Sequence, residues 1–283
     1  MSNYKFLIFG SKGMLGSSIV NVLKKKKISY LTSARNNSNF NMDIKSPHLL
    51  KKIFDKNKFK IVVNCAAKID INYCEKNYSE VKKINSDFVK SLCLLSKKHK
   101  FKLVQISTDH VYKGKKLLLN NEKSVVFAIN KYAKTKILAE NHLKKLNNYL
   151  IIRTNFTGKG KNSFIDWLIK NIKKRKTINL FHDMYTSTLD VKTCSKLIIE
   201  LSNMNSKGTF NLGTRDMISK KEFAIKLGKF YKKKFPYKSE SSNIMSVPRG
   251  KNLGLDVNKI EKKLNKRMIS SNQSIKNMLR EYI

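Results

Sequence analysis

A tyrosine and a lysine four residues apart are the first residues in this chain that suggest catalysis. Tyr132 and Lys136 belong to the segment Tyr-Ala-Lys-Thr-Lys, and this spacing places both side chains on one face of a helix. A free tyrosine has a pKa of about 10, but a neighbouring lysine ammonium stabilises the phenolate and lowers that pKa. The pair therefore predicts a general acid. The alternative is a solvated helix face, because lysine is frequent throughout the chain.

A hydroxyl that could assist this pair lies in the segment Ser107-Thr108-Asp109-His110-Val111-Tyr112, which ends a predicted strand. Doubly wound folds bind their ligands at the carboxyl ends of their strands. Thr108 is therefore predicted to hydrogen-bond the oxygen that Tyr132 protonates. The alternative is a strand-end turn in which Ser and Thr bond the local backbone. We expect His110 to line the pocket, since Tyr132 already supplies the proton.

Three glycines with the spacing GxxGxxG join the first predicted strand to the first predicted helix. They are Gly10, Gly13 and Gly16. Glycines at such a junction permit a tight turn, close approach to a pyrophosphate and close packing of helix on strand. The motif predicts a dinucleotide site, and the alternative is a tight turn without a ligand.

The end of the second predicted strand indicates which dinucleotide is bound. NAD sites place Asp or Glu there to hold the ribose 2′-hydroxyl. This chain instead continues Thr32-Ser33-Ala34-Arg35 and has no acid before Asp43. Arg35 is a candidate for a 2′-phosphate, which predicts NADPH as the cofactor, with NADH as the alternative. The other interpretation of Arg35 is a surface arginine among many cations.

Apolar runs and helical patterns alternate along the first half of the chain, which predicts a parallel, doubly wound sheet. The predicted strands are 4–9, 28–32, 60–64, 101–107, 149–153, 177–180 and 208–212. The predicted helices are 13–27, 47–56, 79–99, 130–146, 162–174, 191–201, 220–232, 257–264 and 271–281. We expect a Rossmann-type α/β fold with a smaller C-terminal substrate-binding α/β cap. Residues 1–153 form the predicted NADP-binding domain, to which 186–214 returns, and 154–283 form most of the substrate domain.

The charge of the chain is high but does not indicate nucleic-acid binding. Its 283 residues include 60 Lys+Arg and 19 Asp+Glu, for a net charge of +41, yet only seven of the cations are arginine. Nucleic-acid proteins concentrate charge in a patch and favour arginine. Dispersed lysine therefore predicts solvated faces and no specific nucleic-acid partner, although the field attracts anionic ligands.

Other compositional features narrow the class of protein. No apolar run approaches the roughly 18 residues that a membrane span needs. The four cysteines form no CxxC pair, and the five histidines lack metal-ligand spacing. We expect a cytoplasmic protein with reduced thiols, no membrane association and no metal site.

Together these motifs resemble the extended short-chain dehydrogenases/reductases of the dTDP-4-dehydrorhamnose reductase type. Beyond the segments already described, the matching segments are Met42–Ile44, Asn64–Ala67, Arg153–Phe156, Leu180–Tyr185, Gly208–Gly213, Ser219–Phe223, Pro248–Arg249 and Leu255–Asp256. The resemblance runs the length of the chain and, taken as a whole, is specific for the sugar-nucleotide branch.

The resemblance implies roles for individual residues. Thr108, Tyr132 and Lys136 would form the catalytic triad. The substrate would contact Thr108, His110, Asn155 and Arg249. The cofactor would contact Gly10, Lys12, Gly13, Met14, Leu15, Gly16, Arg35, Asp43, Ile44, Ala66, Ala67, Lys68, Tyr132 and Lys136.

The chain also departs from the family that it resembles. The family often has Tyr at the position of His110 and Trp at the position of Phe156, which predicts different sugar contacts. Ser18 stands where some members carry a carboxylate used in magnesium-linked dimerisation, so we do not expect that dimer. A homodimer of another kind stays open.

The implied reaction is the NADPH-dependent reduction of the C4 keto group of a 4-keto-6-deoxysugar nucleotide. In the family this converts dTDP-4-dehydrorhamnose to dTDP-L-rhamnose for polysaccharide biosynthesis. Two alternatives are a reductase or epimerase of another nucleotide sugar, and a non-catalytic NADP-binding regulatory subunit on the same fold. The complete Thr/Tyr/Lys set counts against the second alternative.

Overall fold

The structure, a computed structural model, describes residues 2–45, 48–114, 118–160 and 163–282. In chain order its strands are β1 (Ser2–Phe9), β2 (Tyr30–Ala34), β3 (Phe40–Asn41), β4 (Asn57–Asn64), β5 (Lys102–Thr108), β6 (Tyr149–Thr154), β7 (Phe156–Thr157), β8 (Ile178–Phe181), β9 (Tyr185–Thr186), β10 (Leu189–Asp190), β11 (Gly208–Leu212), β12 (Ile218–Ser219), β13 (Tyr237–Glu240) and β14 (Asn252–Leu253).

The helices are α1 (Met14–Lys25), α2 (Leu49–Lys56), α3 (Ile71–Lys76), α4 (Tyr78–Lys82), α5 (Phe88–His99), α6 (Lys131–Leu143), α7 (Phe164–Lys173), α8 (Val191–Asn203), α9 (Lys220–Phe230), α10 (Asn258–Leu264) and α11 (Ser271–Leu279). A π-helical turn spans Lys83–Asp87, and 3₁₀ turns span Asp109–Val111 and Ser242–Ile244. The first residues of two predicted helices, Pro47 and Asn162, lie outside the described residues.

One sheet contains seven strands in the order β11-β6-β5-β4-β1-β2-β3. The pairs β1–β2, β1–β4, β2–β3 and β4–β5 are parallel. The strand order reverses between β1 and β4, where Phe9 is in register with Asn64. Doubly wound sheets bind ligands at the carboxyl ends of the strands beside such a reversal. The predicted Rossmann-type α/β fold is confirmed.

The chain divides into two compact units. The first comprises Met1–Thr108, Asn130–Ile152 and Ser195–Thr209, and the second comprises Asp109–Ile129, Arg153–Cys194 and Phe210–Ile283. Apolar side chains of β1, β4, β5 and α5 form a core in the first unit. A separate core in the second unit is built from α7, α9 and α11. Which residues bind the cofactor and which bind the substrate stays a prediction.

The structure interrupts the single helix that the sequence predicted over 79–99. The chain forms α4, then the π-helical turn, then α5. The turn carries Asn85, which is buried and donates hydrogen bonds from Nδ2 to the Lys68 carbonyl and the Thr135 hydroxyl. Such turns arise where a helix accommodates a local constraint and are frequent at functional sites. Hydrophobic spacing alone did not indicate this break.

The sequence also missed several short elements. Strands β3, β7, β9, β10, β12 and β14 have two residues each, too few to show a period.

Among the described residues, no helix has both the length and the apolar character needed to cross a membrane. Within the same residues, no three His, Cys, Asp or Glu side chains are grouped as a metal site would require.

Candidate active site

The glycine turn after β1 is shaped by close backbone contacts. Gly10 has a φ of +73°, and a Cβ on it would lie 2.7 Å from the Ala66 amide nitrogen. A Cβ on Gly16 would collide with the carbonyl group of Gly10. At Gly13 a Cβ would meet only the Gly10 oxygen, at 3.3 Å. Packing within the protein therefore requires glycine at Gly10 and Gly16, whereas at Gly13, which lines the cleft, a Cβ would make one tight contact and no collision.

The N-terminus of α1 follows this turn and suits an anion. Gly13 is its N-cap residue, no side chain caps the helix, and its first turn contains no acid. The first amide N–H groups of a helix carry partial positive charge and lack partners within the helix. A phosphate group can accept hydrogen bonds from them.

The turn opens into a cleft of about 460 Å³ in the first unit. This volume is within the usual range for small-molecule sites. Nine predicted cofactor residues line it: Gly10, Lys12, Gly13, Arg35, Asp43, Ile44, Ala66, Ala67 and Lys68. Ser33, Ala34, Asn36, Met42, Lys45, Cys65, Glu80 and Ile84 line it as well and were not predicted. The remaining predicted cofactor residues, Met14, Leu15, Gly16, Tyr132 and Lys136, do not line the described cleft.

Ser33 supports the assignment of this cleft as a ligand site. Its hydroxyl oxygen is buried and has no hydrogen-bond partner among the described residues, although Ser33 lines the cleft. Buried hydroxyls normally have a partner. Together with Gly13 in the cleft lining and the uncapped α1, this oxygen fits a polar, phosphate-bearing ligand.

The charged rim of the cleft is largely exposed. Arg35 is the first residue after β2 and is exposed, as is Asp43. Glu80 accepts a hydrogen bond from the Tyr73 hydroxyl at 2.7 Å and pairs with Lys45 at 3.4 Å. The Tyr73 hydrogen bond, followed by Lys45, holds the pKa of Glu80 below its usual value. The Glu80 carboxylate thus has Tyr73 and Lys45 as partners. Arg35 supplies a positive charge at the end of β2, where a ligand in the cleft can reach it.

Local hydrogen bonds define the start of α6, the helix that carries the predicted catalytic pair. The Asn130 side chain caps the helix by accepting the Ala133 N–H at 2.9 Å. Glu75 of α3 accepts the Lys131 N–H at 2.6 Å. These two acceptors use N–H groups that the first turn of a helix leaves unpaired. These contacts fix where α6 begins, one residue before Tyr132.

The three predicted catalytic residues all lie in the first unit, Tyr132 and Lys136 on α6 and Thr108 at the end of β5. Tyr132 and Lys136 are 8% and 3% exposed, and Thr108 is the last residue of β5. Lys136 Nζ donates a hydrogen bond to the Ile106 carbonyl, two residues before Thr108, at 2.6 Å. The ammonium on α6 is thereby held against the end of the strand that carries Thr108.

Burial sets the acidity of Lys136. Desolvation lowers the pKa of its ammonium from 10.5 to about 8, and the nearby Glu140 and Cys65 oppose that decrease. At neutral pH the protonated form still exceeds the neutral form about tenfold. Lys136 can therefore stabilise a phenolate on Tyr132 and remain a hydrogen-bond donor.

The predicted substrate residues lie in the second unit, except for Thr108. Asn155 donates to the Asp109 carboxylate at 2.8 Å and accepts from the Thr188 hydroxyl at 3.1 Å. Its amide is thus oriented by two protein partners. Arg249 lines a cavity of about 610 Å³ with Lys113, Phe127, Met245 and Lys251, among others.

The second unit also gathers cations around His110. Desolvation lowers the pKa of His110, Asp109 raises it, and Arg249 and Lys220 lower it further. Desolvation also lowers the pKa of Lys220. Sequence reasoning missed Lys220, because one lysine is inconspicuous in a chain with this composition. His110, Arg249 and Lys220 are thus close enough to influence one another's charge.

Comparison with known proteins supports a single family assignment. The model of the family described as "RmlD substrate binding domain" matches residues 4–283. A probable low-salt glycan biosynthesis reductase, Agl14, from Haloferax volcanii is 22% identical over 233 residues, 78% of each chain. A dTDP-4-keto-6-deoxy-D-glucose reductase from Streptomyces niveus is 24% identical over 210 residues, 73% of this chain and 72% of that one.

The fold is shared with solved structures. One is a dTDP-4-dehydrorhamnose reductase from Bacillus anthracis in complex with NADP, with a TM-score of 0.91 and 24% identity. The alignment covers 99% of this chain and 100% of that chain. At this identity the likeness establishes the fold, which agrees with the seven-stranded sheet described above.

Proposed function

The chain belongs to the RmlD substrate binding domain family, and from this premise we propose that it is an NADPH-dependent reductase of 4-keto-6-deoxysugar nucleotides. The observation that carries the proposal is the buried arrangement of Tyr132, Lys136 and Thr108 at the end of β5. The names of the two curated relatives, both reductases, support the same reaction class. Within this class, dTDP-4-dehydrorhamnose is the expected substrate and dTDP-L-rhamnose the expected product.

The first unit holds the cofactor in this proposal. The uncapped N-terminus of α1 and Gly13 receive the pyrophosphate. Arg35 and Lys12 offer cations for a 2′-phosphate, while Asp43 and Ile44 lie where the adenine is expected. Ala66, Ala67 and Lys68, which also line the cleft, would contact the cofactor near its nicotinamide. When bound, NADPH supplies the hydride for the C4 carbon.

Residues of α6 and β5 donate the proton and stabilise the charge that develops in this proposal. Tyr132 donates its phenolic proton to the C4 oxygen, Lys136 stabilises the resulting phenolate, and Thr108 donates a hydrogen bond to the same oxygen as charge develops. Lys136 would also bind the nicotinamide ribose hydroxyls of the cofactor. Burial of Tyr132 and Lys136 excludes water and strengthens these interactions.

The second unit supplies charge and hydrogen bonds for the sugar nucleotide. His110 and Arg249 belong to its cationic group, and Asn155 presents an amide oriented by Asp109 and Thr188. We assign sugar contacts to Asn155 and His110 and a phosphate contact to Arg249. We also place the reaction in the cytoplasm, since the four cysteines are free thiols.

One assay tests the function directly. The purified protein is given NADPH and a panel of 4-keto-6-deoxysugar nucleotides, and the loss of NADPH absorbance is followed. Turnover with dTDP-4-dehydrorhamnose and its loss in Tyr132→Phe are expected. Turnover only with another nucleotide sugar would identify the substrate alternative. NADPH binding without turnover on the whole panel would contradict the reductase assignment and favour a regulatory subunit.

A further inference from the structure

Helix α6 carries a third buried polar residue in line with the catalytic pair. Tyr132, Lys136 and Glu140 follow one another at intervals of four, which places them along one helix face. Glu140 is 1% exposed, less than either of the other two. Carboxylates are rarely buried to this extent unless they interact with a partner charge or donor. The proposed reaction assigns no task to this residue.

Residues at the end of β5 form hydrogen bonds with both buried charged side chains of α6, Glu140 and Lys136. The Ser107 hydroxyl donates a hydrogen bond to Glu140 Oε1 at 2.6 Å, and the Ile106 carbonyl accepts one from Lys136 Nζ at 2.6 Å. The next residue of the strand is Thr108. Three consecutive residues of one strand thus fix the carboxylate, the ammonium and the proposed catalytic hydroxyl.

The charge of Lys136 depends on its surroundings, because the side chain is almost fully buried. Burial lowers the pKa of Lys136 to about 8, while Glu140 and, less strongly, Cys65 raise it. The titratable groups that act on this ammonium are Glu140 on α6 and Cys65, the first residue after β4. Of these, the Glu140 carboxylate provides the largest opposing effect. Tyr132 lies one turn before Lys136 on α6.

We propose that Glu140, held in place by Ser107, is a positioning residue that keeps the buried Lys136 ammonium protonated and aligned for Tyr132. The inference rests on the proposed function for its catalytic consequence. The electrostatic effect of Glu140 on Lys136 involves only residues of the first unit, so it can be tested without cofactor or substrate. Glu140 acts through Lys136 and needs no contact with the reacting atoms.

The first experiment compares pH profiles of keto reduction for the wild type, Glu140→Gln and the control Asp55→Asn. Glutamine keeps the shape of the side chain and removes its charge, and Asp55 is an exposed carboxylate on α2. Reduction needs a charged Lys136, so kcat falls as pH rises through the pKa of Lys136. Glu140→Gln should move this basic limb of the kcat profile to lower pH by about one unit. Asp55→Asn should leave it in place. An unmoved limb in Glu140→Gln would overturn the inference.

The second experiment measures unfolding of the cofactor-free protein and closes a double-mutant cycle with Lys136→Met. Lys136 has a lower pKa when folded than when unfolded, so its contribution to stability improves as pH rises from about 8 to about 10.4. The stability cost of Glu140→Gln should shrink between about pH 7 and about pH 8, the folded-state pKa values of Lys136 in the variant and in the wild type, because the variant loses the uncompensated ammonium charge first. Above about pH 8 the two proteins should gain stability in parallel. In the Lys136→Met background the cost should not change with pH. The same pH-dependent cost in both backgrounds would contradict the inference.

These readouts separate the inference from the proposed function. Absence of keto reduction in the wild type, with a positive double-mutant cycle, would reject the function and retain the Glu140–Lys136 coupling. If the wild type reduces the keto sugar, but Glu140→Gln neither moves the basic limb of the kcat profile nor shows pH-dependent coupling to Lys136, the function would stand and the Glu140–Lys136 inference would be rejected. If Glu140→Gln does not fold, Ser107→Ala decides the matter. That variant removes the hydrogen bond to Glu140 and should shift the limb in the same direction by less, whereas an unchanged limb would count against the proposal.

Discussion

The cleft beside the glycine turn and the face of α6 both lie in the first unit, but charged side chains are exposed in one and buried in the other. In the cleft, Arg35 and Asp43 are exposed, and shape comes from glycine backbone contacts. On α6, Lys136 and Glu140 are buried and held by Ile106 and Ser107. Water and salt screen exposed charges, whereas buried charges interact strongly and change their pKa. The cleft is therefore suited to binding an ionic ligand, and the helix face to changing the acidity of the groups proposed to be catalytic.

The largest effect is expected from the buried face. Tyr132→Phe keeps the packing of the ring and removes only the hydroxyl, so turnover should fall about 10²–10⁴-fold. NADPH affinity should barely change, because the phenol contributes little to ground-state binding. Steady-state kinetics and a cofactor titration measure the two quantities. Tyr149→Phe, at the start of β6, is the control and should keep turnover. Near-normal turnover of Tyr132→Phe on the true substrate would remove Tyr132 from the mechanism.

Lys136→Ala should impair both turnover and cofactor affinity, because one ammonium serves the phenolate and the ribose. Lys134 is exposed on the same helix and provides a matched control, for which Lys134→Ala should behave like the wild type. We expect a loss of at least about tenfold in NADPH affinity, in line with the removal of a charged hydrogen-bond donor. If Lys136→Ala and Lys134→Ala had the same turnover and the same NADPH affinity, Lys136 would have no role in catalysis or cofactor binding.

Two glycine variants should distinguish a glycine needed for packing from a glycine needed for cofactor binding. Gly16→Ala would force a Cβ into the Gly10 carbonyl, and overpacking of this kind costs about 1–3 kcal/mol of stability. Gly13→Ala meets a single contact at 3.3 Å and should leave stability nearly unchanged while weakening cofactor binding. Thermal unfolding and NADPH titration of both variants test this. Unchanged NADPH affinity in a folded Gly13→Ala would contradict a phosphate at this position.

The smallest effect is expected at the exposed rim. Arg35→Ala should lower NADPH affinity by about tenfold or less, since the charge is exposed and screened. NADH affinity should change little, and the NADPH effect should decrease with added salt. Arg280→Ala, an exposed arginine after α11, is the control. An equal loss for both cofactors would exclude Arg35 from a 2′-phosphate site.

Local patterns in the sequence were sufficient for much of the fold and for the turn and the helix that carry the candidate site residues. The alternation of apolar strands and helices predicted the doubly wound sheet, and the glycine spacing predicted the turn after β1. The four-residue spacing of Tyr132 and Lys136 predicted their shared face. These inferences succeeded because each depends on residues that are close in the chain.

Tertiary structure decided what depends on distant residues. The π-helical turn at Asn85 forms where its amide reaches Lys68 and Thr135, which no local period encodes. Lys220 joins His110 and Arg249 only after folding. The four-residue spacing from Lys136 to Glu140 is readable in the sequence, but the burial that makes their charges interdependent is not. The sequence by itself thus determined which groups share the face of α6. Contact with Ile106 and Ser107 removed water from that face, and this desolvation set the acidity of Lys136.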